Sequence, residues 1–241
     1  MVMVACGSHA EMRTWTSKSG QTVEGKYLTT AFDNVNVEDA QGNVIKLPVD
    51  QLSEEDLTYL DFLNPPTLIV EYIKEVQPWQ TVADDWIDNG GGSHVNHPIF
   101  VINGRFGARI KKTSRKPYNH KLTVEVFALT KQYYDTSNFH LIARSKSDPF
   151  MLTEENEGYF EYTDPKSYTI IYYNLYSANP RGEKPSDYMV LVRDERGEII
   201  AHRETGNWLF ENREKLMALP VGAWINDSCD RIHPTSPERG T

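Results

Sequence analysis

The sequence predicts a mainly β protein in two parts, a small β-barrel followed by a larger β-sandwich-like domain with one late helix. Three observations carry this expectation. Short runs rich in β-branched and aromatic residues recur along most of the chain, with Gly, Asn, Asp and Pro between them. Tyrosine, with 13 copies in 241 residues, favours strands over helices. Pro65-Pro66 interrupts the chain once between the two parts, and the residue ahead of each ring is pushed out of the helical region.

The first part reads as four strands, at residues 13–18, 22–29, 34–38 and 44–49, with Gly20 and Gln41-Gly42-Asn43 as turn signals. Leu52-Ser53-Glu54-Glu55-Asp56 then sets a Ser N-cap three residues ahead of an acid, just before Leu57, Leu60 and Leu63. That spacing predicts one short helix opened by a capping box. Four short strands closed by a helical turn suit an SH3-like barrel over residues 12–63.

The same residues carry a family resemblance. Arg13-x-Trp15-Thr16-Ser17 and Gly20, then Asp39-x-x-Gly42, then Leu47-Pro48-x-x-x-Leu52-Ser53-x-x-Asp56-x-x-Tyr59 resemble the first homology domain of the endocytic adaptor Sla-one. Similar modules occur in many exported bacterial proteins. The resemblance implies an SH3-like barrel that binds short peptides containing Asn-Pro-Phe. It covers about a fifth of the chain and maps no peptide-contacting residue onto it. A barrel that merely braces its neighbour is the competing reading, because a fold does not fix a function.

Residues 67–225 are expected to form the second domain. Strand candidates lie at 67–76, 99–102, 106–110, 122–129, 139–143, 158–162, 168–175, 188–194 and 198–203, and most alternate apolar with polar residues. The clearest hairpin turns through Glu195-Arg196-Gly197. One helix is predicted at 208–219, stopped by Pro220, and residues 226–241 read as a loose tail. A junction of Asn64-Pro65-Pro66 is short and stiff, so the two domains are expected to move as one body.

Composition excludes some partners. A net charge of −9 disfavours nucleic acid and anionic membrane surfaces. No run of eighteen apolar residues spans a membrane. The chain's cysteines, Cys6 and Cys229, are too few for a disulfide framework or a thiolate zinc site. Ala5-Cys6-Gly7-Ser8, after an apolar run, resembles the cleavage end of a bacterial lipoprotein signal, with Cys6 as the lipidated residue. A charged start and a longer apolar core are missing, so a free or paired thiol is the alternative.

Chemistry-bearing patterns are sparse. Asp84-Asp85-x-x-Asp88 before Asn89-Gly90-Gly91-Gly92 collects carboxylates but departs from EF-hand spacing, and a solvated connection is the plainer reading. His94 and His97 flank no helix and lack a third ligand, so no metal and no cofactor is assigned. No Gly-x-Ser-x-Gly elbow and no catalytic carboxylate pair stands out. Asp148-Pro149-Phe150 is similar to the peptide class the barrel's resemblance implies, and would be a device for self-docking.

One segment breaks the acidic background. Between Arg105 and Lys121 stand seven basic residues and no acid. Arg109, Lys111, Lys112, Arg115 and Lys116 are the candidate binding residues, read as an exposed hairpin tip for an anionic polymer or acidic partner. Blunting a sheet edge is the competing role. The expectation is therefore a non-catalytic binding or scaffold protein of a bacterial cell envelope or periplasm, with a peptide, protein or anionic polymer as partner. The alternatives are a cytoplasmic location and a hydrolytic enzyme whose site is assembled from loops of the sandwich.

Overall fold

A computed structural model describes residues 11–88, 94–114, 118–133, 135–173 and 181–233. The chain is mainly β and divides after Pro66 into two compact units.

In the first unit, β1 (Met12–Thr16), β2 (Thr22–Ala31), β3 (Asn34–Glu38) and β4 (Val44–Pro48) form an antiparallel meander. Each turn has a chemical reason. Gly20 and Gly42 both sit at φ +84°, where a Cβ is costly. Asp39 Oδ1 accepts the amides of Gln41 and Asn43, an Asx-type turn. The β2–β3 turn carries no glycine, yet Phe32 and Asp33 stand at φ 51° and 60°. After a 3₁₀ turn at Val49–Gln51, Leu52 pairs back with Ser17, and α1 (Glu54–Leu63) begins at the N-cap Ser53, whose Oγ accepts the Asp56 amide. Trp15, Val35, Val37, Leu52 and Leu60 form the core of this unit.

Among the described residues, the second unit holds ten strands in two faces joined at one end. One face contains β5 (Leu68–Val76), β6 (Gln80–Asp88), β7 (His94–Lys112), β10 (Tyr159–Thr163) and β11 (Tyr168–Tyr173). The other contains β8 (Leu122–Gln132), β9 (Phe139–Lys146), β12 (Arg181–Asp194), β13 (Ile199–Glu204) and β14 (Trp224–Ile225). The faces connect where β11 pairs β12 at Tyr172↔Gly182 and Tyr173↔Arg181. Between them lies a core containing Phe106, Ala108, Ile110, Val124, Val126, Val190 and Val192.

The β8–β9–β12 layer is buried on its other face too. Phe127, Leu129, Leu141, Met189 and Leu191 meet Leu209 of α2 (Asn207–Glu211), Leu216 of α3 (Arg213–Ala218), and Ile225. A strand with apolar cover on both sides loses its polar alternation, and β8 is buried from Val124 to Thr130. Glu125, which marks the polar phase of that strand in the sequence, is itself buried, donated to by Arg144 Nε at 2.8 Å.

Several elements differ from the sequence expectation. The strand candidates at 99–102 and 106–110 are one 19-residue strand, β7, because Asn103-Gly104 continues extended rather than turning. Asp84, Asp85 and Asp88 belong to β6, paired with the start of β7 that holds His94 and His97, while Asn89–Gly92 lie outside the described residues. The single late helix is two, because Asn212 leaves helical geometry and its Nδ2 donates to Trp208 O at 2.9 Å. β14 has no counterpart in the sequence reading.

Candidate functional site

In the first unit, the β1–β2 turn and the segment after β4 leave a groove of about 100 Å³. Trp15, Val23, Leu47, Pro48 and Leu52 give it apolar walls, and Gln21 and Gln51 supply amides. Trp15 is held by its own hydrogen bond, Nε1 donating to Gly25 O at 3.0 Å. Pairing of Ser17 with Leu52 and donation from Ser53 N to Thr16 O at 2.9 Å fix the two sides of the groove. Trp15, Ser17, Leu47, Pro48 and Leu52 therefore supply much of its floor and frame.

The basic run is described only in part. Arg109, Lys111 and Lys112 are strand residues of β7, and Arg115 and Lys116 lie outside the described residues, as does Cys6. β7 is an interior strand, flanked by β5, β6, β10 and β11, so its cations do not line a sheet edge. Nor is it hairpinned to β8, since the two strands are not paired. Acids on the neighbouring strands meet it: Arg105 Nη2 donates to Glu75 at 2.7 Å, and Arg109 Nε donates to Glu161 at 2.7 Å. Glu161 also accepts from the Tyr159 hydroxyl, and these two hydrogen bonds hold its carboxyl below the ordinary range. Lys111, between Ile69 and Tyr159 in register, is exposed and makes no ion pair among the described residues. The cationic density of the sequence is thus partly cancelled by cross-strand partners.

Where β5 ends against β7 there is a wider groove of about 380 Å³. Glu75, Val76, Gln77, Asn103, Arg105 and Ser167 line it, with Gly104. Gln77 N donates to Asn103 O at 2.9 Å, and Thr169 Oγ1 donates to Asn103 Oδ1 at 2.8 Å.

A third cluster crosses the β12–β8–β9 layer. His140 Nδ1 lies 2.9 Å from Glu183 Oε2, the Thr130 hydroxyl donates to the same oxygen, and Trp224 stacks on the imidazole at 4.6 Å. Burial alone would raise the Glu183 carboxyl, but the hydrogen bonds from His140 and Thr130 outweigh it and lower its pKa. A carboxylate on Nδ1 fixes the imidazole's orientation. Sequence reasoning missed this cluster and the Glu75 groove, because their members are neighbours only through strand pairing. The Asp148-Pro149-Phe150 segment is also committed: Phe150 and Leu122 exchange backbone hydrogen bonds, and the Phe150 ring stacks on Phe160 at 3.5 Å.

In a comparison with known families, the SLA1 homology domain 1 (SHD1) matches residues 6–65, and the remainder is unassigned. No curated protein and no solved structure matches the chain. The matched segment contains every motif residue that frames the Trp15 groove.

Proposed function

We propose that this is a non-catalytic recognition protein of a bacterial cell envelope, whose N-terminal module takes a short peptide in the Trp15 groove. The carrying observation is the coincidence of the family match with that groove. An apolar floor between two amide-bearing rims suits one apolar anchor side chain of an extended peptide, whose backbone needs donors and acceptors beside it. An Asn-Pro-Phe peptide is the first probe, following the family resemblance. Titrated into isotopically labelled protein, it is expected to move the resonances of Ser17, Gln21 and Gln51, and Gln51→Arg to remove the effect. Shifts confined to other residues, or none at millimolar peptide, would overturn the reading. The envelope assignment rests on Ala5-Cys6-Gly7-Ser8. Loss of membrane association in Cys6→Ser supports it, and an unchanged distribution contradicts it.

One observation favours a second reading, a hydrolytic site on the second unit. His140 oriented by Glu183 has the form of a general base held by a carboxylate. Turnover of an activated ester that falls in both His140→Gln and Glu183→Gln supports this reading, and turnover indifferent to both removes it.

A further inference from the structure

We infer that the Glu75–Arg105 groove is a binding site for a neutral polyhydroxylated ligand, a short saccharide. The size fits: about 380 Å³ falls within the usual range of small-molecule sites, roughly 300–1,000 Å³. The lining chemistry fits better. Each sugar hydroxyl both donates and accepts, so its site must present both functions at close spacing. Arg105 and the Asn103 amide nitrogen offer donors, Glu75 acceptors alone, and Gln77 and Ser167 offer both. Charge points the same way. The two ions face each other in register on β5 and β7 and meet at 2.7 Å, so the groove has no net attraction for an anion or a cation. Each still gives charge-assisted hydrogen bonds, which are stronger than neutral ones.

The groove is also organised before any ligand arrives. Asn103 Oδ1 is occupied by Thr169 Oγ1, which turns the amide so that Nδ2 is the group left for a ligand. Gln77 is tied by its backbone amide to Asn103 O.

The test titrates the labelled full chain with cellotriose, maltotriose and the trimer of N-acetylglucosamine, alongside heparin as the polyanion control. At least one neutral trisaccharide is expected to give saturable shifts at Gln77, Asn103 and Ser167, unchanged in high salt because no counterions are released. Glu75→Gln and Asn103→Leu should each weaken it about tenfold or more, about 1.4 kcal/mol. Unchanged amide exchange along β5 and β7 in both variants controls for folding. No saturable shift from any of the three sugars would overturn the proposal. So would heparin binding at these residues with steep salt dependence, or sugar binding that survives both groove variants.

Discussion

Arg13 and Asp56, 43 residues apart, meet at 2.5 Å, and the pair closes the N-terminal unit. Asp56 Oδ2 accepts the Thr16 amide at 2.6 Å and the Ser53 hydroxyl at 3.1 Å. One buried carboxylate thereby ties β1 to the first turn of α1, where negative charge is favoured. The guanidinium lies 3.9 Å over the Tyr59 ring and 5.0 Å from Trp15. Arg13, Trp15, Thr16, Ser53, Asp56 and Tyr59 are the motif positions read from the sequence, and here they are one contact cluster.

Breaking this clasp is expected to open the first unit. Asp56→Ala leaves Arg13 without its partner, a loss of about 3–5 kcal/mol for a buried pair. A unit this small has little stability to spare. Hydrogen exchange should show Val35 and Val37 losing protection while β8 keeps its own. Arg13→Lys should fall between, because an ammonium cannot lie flat on Tyr59. Full protection at Val35 in Asp56→Ala would contradict the role given to the pair.

The β2–β3 turn should be improvable. Both central residues have positive φ, a geometry that Asn-Gly adopts readily and Phe-Asp does not. Phe32 is 97% exposed, so its ring contributes no packing. Phe32→Asn with Asp33→Gly is expected to stabilise the first unit by about 1 kcal/mol. A lower urea midpoint would show that Phe32 holds a contact.

Gly107 should tolerate no side chain. A Cβ there would stand 2.0 Å from Tyr162 O, a backbone atom that cannot swing away. Gly107→Ala must push β10 off β7, at a cost of about 1–3 kcal/mol or more. The expected sign is faster amide exchange along Tyr159–Thr163, and wild-type exchange there would refute the close approach.

Cys229 is expected to be chemically silent in the native state. Burial pushes its thiol up to about 11, outweighing the nearby Lys215. The thiolate is the reactive form, so at pH 8 alkylation should be slow in folded protein and fast in denaturant. Equal rates in the two states would show Cys229 to be accessible.

The Glu183 cluster predicts acid sensitivity. A carboxyl held below its ordinary pKa stabilises the fold fully above the unfolded value, near 4.5, and loses that contribution as pH falls through the folded value. Glu183→Gln should flatten the acid limb of the stability–pH curve. A curve of unchanged shape would mean that the hydrogen bonds from His140 and Thr130 do not favour the charged carboxylate.

Local chemistry was legible in the sequence. Ser53 as N-cap, Gly20 and Gly42 as turns, and the stop before Pro65-Pro66 each depend on a few adjacent residues, so the short-range pattern contains their cause. The mainly β class and the motif of the first unit were legible for the same reason. Three acids within Gln80–Asp88 hid β6, and Asn103-Gly104 looked like a break in what is one strand.

What the sequence by itself determined, then, is the alternation of strands and turns, the division at Pro65-Pro66, and the six residues of the Arg13–Asp56 clasp as a pattern. Tertiary structure alone decided which strands are neighbours: that β7 is interior, that Arg105 and Arg109 face Glu75 and Glu161, and that Glu183 meets His140. Turn and cap preferences are energies of a few consecutive residues. Strand register is fixed by burial summed over distant segments, and side chains 30, 52 or 43 positions apart become partners only once that sum is made.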